Sequence, residues 1–351
     1  MLRKFTGRFL FLILFSSIVC VTANAQVFWD GKKFEPSEKL VIDTIVLVGN
    51  KVTKNKIVLR EVIFHTGDTL RQEVLQNAAH RSHENIMNTS LFNFVEVHIL
   101  PLHDDVVNVT ILLKERWYIF PLPLLEIADR NFNEWWKTKD FSRLNYGIYV
   151  NWNNFRGRKE LLRFTIQGGY QQKFNISYQI PYINKNQRTG ITISGGYNRN
   201  HEIAYILNES KLVFHKDEFN YSRTEGNAGL RISHRHDIYS TFSFFGEYRY
   251  SEIEDTVQKL NPDYFVNKAT FQQMISLGFN YRYDDRDLQI YASHGRFFEF
   301  EVAQVGLGIL ENEPSLIYLS ANFRNYIPLS TRWNYNFYIK GRLNTLEPAP
   351  Y

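Results

Sequence analysis

Asp284, Asp285, Arg286 and Asp287 stand side by side in YRYDDRDLQIYASHGRFFEFEV, with His294, Gly295 and Arg296 close behind. Three carboxylates and an imidazole could hold a divalent cation. The spacing, however, lacks the central Gly and the terminal bidentate Glu of a calcium loop. The other reading is a charged turn between two aromatic strands, its Asp–Arg pairs exposed to water and adding little stability. We expect the turn. HRHD, from His234 to Asp237, invites a zinc reading, and His80 and His83 fall at i, i+3 on a helical pattern. A rim turn is expected for HRHD, and His80 and His83 have no third ligand in view. The sequence contains no G-x-S-x-G, H-E-x-x-H, P-loop or G-x-G-x-x-G motif. No catalytic residue, metal or other cofactor is therefore expected.

The ends and the composition say what kind of molecule surrounds that turn. Arg3, Lys4 and Arg8 precede an apolar run over residues 9–21, and Ala23-Asn24-Ala25 is a small-x-small cleavage site. Residues 1–25 read as a signal peptide and 26–38 as a linker. Cys20 is the one cysteine, and Ile18 and Val19 before it are too large for a lipobox, so the mature chain has no disulfide. Loss of the signal lowers the net charge from +5 to about +2, too balanced to suggest nucleic acid. No later stretch is apolar enough for a membrane helix, and mean hydropathy is −0.33. Yet 28 Phe and 21 Tyr are present. That combination fits a secreted β-protein or an outer-membrane barrel.

Two periodicities divide the chain. Over residues 39–116 the pattern is β-α-α-β-β. LVIDTIVLVGNKV is a strand ending at Gly49-Asn50. TKNKIVLREVIF has Ile57, Glu61 and Phe64 at helical spacing behind a Thr53 N-cap. RQEVLQNAAHRSHENIMNTS is a second helix with Leu75, Ala78, Ala79 and Ile86 on one face, capped by Asp68 or Thr69. FNFVEVHIL and VVNVTILLKER close the unit. From residue 117 the period is two. Leu144, Tyr146, Ile148, Val150 and Trp152 share one face, and Asn145, Gly147, Tyr149, Asn151 and Asn153 share the other. Such strands reach the length of tilted membrane strands, and their links tend to alternate long and short. A barrel with apolar residues such as Trp152 and Phe164 facing lipid is expected, with about eleven strands before the Pro-rich NTLEPAPY. Because that tail cannot be a closing strand, the sequence is expected to stop short of a complete barrel.

In this order the motifs resemble a POTRA domain joined to an outer-membrane barrel of the BamA/TamA type. IVLVGNKVTKNKIVLREVIFHTGDTL resembles the POTRA opening and SLFNFVEVHI its helix-to-strand passage. NNFRGRKELLRFTIQGGY and FNISYQIPYI resemble early barrel strands, and YDDRDLQIYASHG a turn before the inward loop. The resemblance implies an α+β POTRA domain over 39–116 and an antiparallel transmembrane β-barrel from 117 to 351, with about eleven strands present of roughly sixteen. It implies the outer membrane of a Gram-negative bacterium, with the N-terminal domain in the periplasm. It implies insertion of outer-membrane proteins, or movement of proteins or lipids across that membrane. The partners would be unfolded outer-membrane proteins or translocated clients, outer-membrane lipids and accessory lipoproteins. A passive pore or lipid conduit with a POTRA docking domain is the alternative. The sequence departs from the family in carrying one POTRA unit and in ending before the Arg-Gly-aromatic motif of the inward loop.

The sites are then backbone sites, where an edge strand pairs with an incoming one. In the POTRA unit the candidate edges are residues 94–100, with Phe94, Glu96 and His98, and residues 45–48, with Ile45 and Leu47. At the barrel seam the candidate is WYIFPLPLLEI, with Trp117, Ile119, Pro121 and Pro123. Each proline removes a ladder donor, which would loosen the seam or only mark the domain junction. Asp284, Asp285, Arg286, Asp287 and Gly295 form the periplasmic rim turn. By parity Glu299 and Glu301 face a wet interior. Glu126, Glu247, Arg163, Arg249, Arg282 and Arg324 are further candidates to set lumen charge.

Overall fold

The structure is a computed structural model, and it describes residues 27–29, 35, 38–128, 132–209, 211–330 and 333–345. The proposed signal peptide, Cys20 and the last six residues lie outside the described residues. The N-terminal unit contains β1 (Val27–Trp29), β2 (Lys39–Val48), α1 (Asn55–Leu59), β3 (Thr69–Arg71), α2 (Gln72–Asn88), β4 (Phe92–Pro101) and β5 (Val106–Glu115). They make a five-stranded sheet ordered β1-β4-β5-β2-β3. Alternation explains its core. Val107, Val109, Ile111 and Leu113 of β5 point to one face with Val97 and Ile99 of β4, where Leu75, Ala79 and Ile86 of α2 cover them.

The expected β-α-α-β-β order is present, with two short strands added. β3 sits between the helices, so Thr69 belongs to a strand and does not cap α2. The N-cap of α2 is Arg71, without a side-chain bond. The first helix is also shorter than its pattern. It ends at Leu59, and Thr53 is not its cap. The reason is tertiary. Glu61 and Thr53 are drawn to partners outside the unit, and the backbone after α1 instead bonds to α2, with Ser82 Oγ accepting from Ile63 N–H at 3.1 Å.

The second unit is an eleven-stranded antiparallel sheet that follows chain order, with a hairpin inserted. Its strands are β6 (Ile119–Ile127), β7 (Leu144–Phe155), β8 (Glu160–Gly169), β9 (Gln171–Ile180), β10 (Thr189–Asn200), β13 (Arg223–Arg235), β14 (Ser240–Ile253), β15 (Phe271–Asp284), β16 (Gly295–Val305), β17 (Leu316–Pro328) and β18 (Asn334–Asn344). The hairpin is β11 (Glu202–Asn208) with β12 (Lys211–Lys216). The sheet is a partial barrel, and β6 and β18 are its edges among the described residues. Ile148, Ile166, Ile176, Ile193, Leu230 and Phe244 are exposed on its outer face, while Ser, Thr, Asn, Arg and Glu side chains line its concave side. At one rim the turns are short and meet the POTRA unit. At the other, the β10–β13 and β14–β15 links are long and pack together through Ile203, Ile253, Val257, Tyr264 and Phe265, with α3 (Asp255–Leu260) between them.

Candidate functional site at the domain junction and the barrel edge

Four short turns of the barrel rest on the POTRA unit. At the first, Lys54 N–H donates to Gly157 O at 2.9 Å, and the Asn154 amide donates to Thr53 Oγ1 at 2.8 Å. Tyr118 donates to Leu91 O at 2.9 Å, so the Thr53 hydroxyl, 3.1 Å away, donates to the phenol oxygen. Gly157 has φ +69°, and a Cβ there would lie 2.1 Å from Val52 O. Glycine is required by both conformation and contact. Glu115 braces the same loop by accepting from the amides of Val52 and Thr53.

At another turn Glu61, only 3% exposed, receives both guanidinium arms of Arg235 at 2.9 Å. Burial alone would raise the carboxyl's pKa. The Arg235 hydrogen bonds, with the charges of Lys159, Arg235 and Arg60, outweigh burial and hold it below the usual range. The sequence contained a signal for this pair, because Glu61 shares a helical face with Ile57 and Phe64, and a carboxylate on a buried face needs a cation. It gave no signal for the partner, which came from the HRHD segment. In that segment Asp237 Oδ1 accepts from Tyr239 and Ser240 amides at 2.7 Å, as a rim turn does.

The Asp-Arg-Asp turn departs from expectation. The expectation is a solvated turn, yet Arg286 and Asp287 and the side chain of Asp284 are each only 7% exposed. Local Asp–Arg pairing is present: Arg286 holds Asp284 through Nε–Oδ1 at 2.7 Å and Nη2–Oδ2 at 2.9 Å, and Arg282 adds a third bond at 2.9 Å. Burial comes from α2 lying across the turn. Asn88 donates to Asp287 O at 2.7 Å and accepts from Gln289 N–H at 3.0 Å, and Arg81 donates to Asp285 O at 3.0 Å and to Tyr239 OH at 2.8 Å. Gly295 has φ +104°, and a Cβ there would come within 2.7 Å of the Arg286 backbone. Asp287 is spent on the Ser293 and His294 amides. Among the described residues no three His, Cys, Asp or Glu side chains form a metal site.

Between these turns and the concave face of the sheet lies a polar cavity of about 670 Å³. Asn85, Asn88, Thr89 and Ser90 of the POTRA unit form one side. Arg188, Arg231, Arg282, Glu299 and Glu301 are among the barrel residues that line the other. Glu301 accepts from Tyr318 OH at 2.6 Å and Asn280 Nδ2 at 3.1 Å. Glu126, Glu247, Arg163, Arg249 and Arg324 do not line it. Arg249 pairs with Glu247 at 3.0 Å and Arg163 donates to Asn151 at 3.2 Å.

The two POTRA edges differ. β1 pairs parallel with β4 through Val27↔Val97, Phe28↔His98 and Trp29↔Ile99, and Phe28 stacks on His98 at 4.8 Å. The edge assigned to residues 94–100 is therefore occupied over its centre by part of the expected linker. Phe94 remains exposed, and Glu96 lies 3.2 Å from His98. β2 pairs with β5 along one side and meets β3 only at Lys39–Val41. Ile45 and Leu47 lie on the stretch of β2 whose other side bears no strand among the described residues.

At the barrel edge, β6 pairs with β7 from Ile119↔Trp152 to Ile127↔Leu144 without a bulge. Asn153 N–H donates to Tyr118 O at 2.7 Å, and Ala128 N–H to Arg143 O at 2.8 Å. In an antiparallel ladder such pairs recur every second residue. Even-numbered residues of β6 thus point their peptide groups at β7, and odd-numbered ones point theirs at the free edge. Pro121 and Pro123 are odd. They leave the β6–β7 ladder intact and remove two donors from the free edge. The Trp117 indole N–H caps Ile119 O, which also belongs to that edge.

Residues 154–349, more than half of the chain, match the family model of the Omp85 superfamily domain. Residues 40–116 match the POTRA model, described as a surface antigen variable number repeat. Similar solved structures include BamA from Haemophilus ducreyi lacking POTRA domains 1–3, at 17% identity and TM-score 0.44, covering 87% of this chain and 55% of that one. CdiB from Acinetobacter baumannii has 13% identity and TM-score 0.45, with 89% and 54% covered. CdiB from Escherichia coli has 12% identity and TM-score 0.46, with 87% and 54% covered. The chain thus spans little more than half the length of these structures. No curated protein sequence matches it. The chain belongs to the Omp85 superfamily of outer-membrane proteins, with a POTRA domain at residues 40–116 ahead of its barrel strands.

Proposed function

We propose that this protein is an assembly or translocation factor in the outer membrane of a Gram-negative bacterium, its POTRA domain in the periplasm. It receives unfolded outer-membrane proteins or translocated clients by backbone pairing at exposed strand edges. The observation that carries this reading is the free edge of β6. Pro121 and Pro123 take two donors from it and the Trp117 indole covers one acceptor. A strand lying there can donate to Pro121 O and Pro123 O but receives nothing in return, so its ladder is incomplete. An incomplete ladder is easier to exchange for an incoming strand than a full one. The bare side of β2 around Ile45 and Leu47 offers a first docking edge in the periplasm. Accessory lipoproteins and outer-membrane lipids are the remaining partners in this reading.

The polar cavity of about 670 Å³ favours a second reading, a passive pore or lipid conduit for which the POTRA unit is a docking module. Reconstitution of the full-length protein into vesicles separates the two. Added unfolded barrel protein should fold faster than in protein-free vesicles. Unchanged client folding together with steady ion conductance would favour the conduit.

A further inference from the structure

The outer rim of the POTRA–barrel junction carries an unusual charge pattern. Residues 51–60, 156–159 and 181–188 contain nine Lys and Arg and no Asp or Glu. The fold brings these three segments together. Lys54 N–H meets Gly157 O, Arg158 Nη2 lies 3.4 Å from Tyr182 O, and the Arg60 guanidinium sits 3.7 Å over the Tyr182 ring. The carboxylates that adjoin the segments are already committed. Glu61 is held by Arg235. Glu160 is fully buried and takes Arg156 at 2.8 and 3.0 Å and Tyr178 OH at 2.8 Å. Glu115 is bound to the Val52 and Thr53 amides.

A groove of about 310 Å³ opens in this rim, lined by Lys56, Ile57, Arg158, Tyr182, Ile183 and Lys185 and no carboxylate. At its edge the buried Gln187 Oε1 has no hydrogen-bond partner. Its place in the fold identifies the occupant. Leu162 pairs with both Trp152 and Tyr178, so all three share the outer face of the sheet at this rim. Phe155 joins them, 4.8 Å from Trp152 and 5.9 Å from Tyr178. Farther up the same face lie the exposed Ile148, Ile166 and Ile176. Apolar band, then aromatic side chains, then cations is the order of a protein surface crossing from acyl chains to lipid head groups.

We propose that this groove binds the phosphate head group of an anionic phospholipid in the periplasmic leaflet. The lipid bridges α1 of the POTRA domain and the β7–β8 and β9–β10 turns. Lys56 and Lys185 approach the phosphate from the two domains, Ile183 enters the acyl region, and Gln187 Oε1 accepts from a head-group hydroxyl. The proposal rests on the outer face of the sheet lying in lipid.

The test uses the full-length protein in phosphatidylcholine nanodiscs containing spin-labelled phosphatidylglycerol or phosphatidylcholine. The expected preference for phosphatidylglycerol is about tenfold at low salt. It should fall to near unity in Lys56→Gln/Lys185→Gln, whose side chains are exposed, and persist in Lys216→Gln/Lys259→Gln at the opposite rim. Three results would overturn the proposal: no preference in the native protein, equal loss in both double variants, or displacement of the labelled lipid by inorganic phosphate or a soluble acidic peptide. Flotation with pure phosphatidylcholine vesicles reads membrane embedding separately, and a chain that sinks there refutes the lipid-facing surface itself.

Discussion

The Glu61 carboxylate and the Arg235 guanidinium, 174 residues apart, meet face to face across the domain junction with both contacts at 2.9 Å. The pair sits among Arg60, Lys159 and the polar cavity, so it fastens the POTRA unit beneath the barrel. Removing one partner of a buried pair leaves the other charge without compensation. Glu61→Ala should weaken docking by about 3 kcal/mol. Spin labels at Gln76 and His236 would report it, with one narrow distance in the native protein and a broad distribution in the variant.

Docking should also depend on pH, in a direction fixed by Glu61. Its carboxyl is depressed in the docked state, against burial, by Arg235, Lys159 and Arg60. A depressed pKa contributes stability above the undocked value of about 4.3, and that contribution is lost as pH falls through the docked value. The spin-label distance should hold steady from neutral pH down to about 5 and broaden in more acidic buffer. Glu61→Gln should remove that step.

Gly157→Ala tests the first turn. The new Cβ would meet Val52 O in a left-handed backbone conformation. A loss of about 1–3 kcal/mol is expected, seen as faster amide exchange at Thr53 and Lys54. Gly168→Ala, in a strand where a Cβ would make only ordinary contact with the Tyr146 ring at 3.8 Å, is the control and should exchange as the native protein does.

Pro121→Val/Pro123→Val returns two N–H donors to the free edge of β6 while leaving its pairing with β7 unchanged. The seam should grip its neighbour more firmly. In vesicle reconstitution the variant should slow client folding several-fold, with no loss of heat resistance of the barrel. Equal client folding would confine the prolines to marking the junction.

Deleting residues 27–29 removes β1 from the centre of the β4 edge. An extended peptide of alternating apolar residues should then bind the POTRA unit more tightly, and chemical-shift changes should centre on Val97–Ile99.

Much of the fold was legible because period and parity are local. The alternation in LNYGIYVNWN predicted which side of β7 faces outward, and the parity of Glu299 and Glu301 placed them on the cavity. What remained illegible was tertiary. Thr53 read as a helix cap because Ser and Thr favour that position, yet its hydroxyl is shared with Tyr118 and Asn154, the latter 101 residues away. The Asp284–Asp287 turn read as solvated because charges normally are, and no local pattern announces that Asn88 will lie across it. Residues 27–29 read as linker because three residues are too few to carry a period. The direction in which Pro121 and Pro123 point needed the register of β6 against β7.

Whether a client strand pairs with β6 is read by disulfide trapping between single cysteines along β6 and a stalled client strand in the full-length protein. Crosslinks are expected in one register along residues 119–127, strongest at alternate positions, as paired antiparallel strands give. Crosslinks to the protein's own neighbouring strand alone, with none to the client at any position, would contradict that pairing.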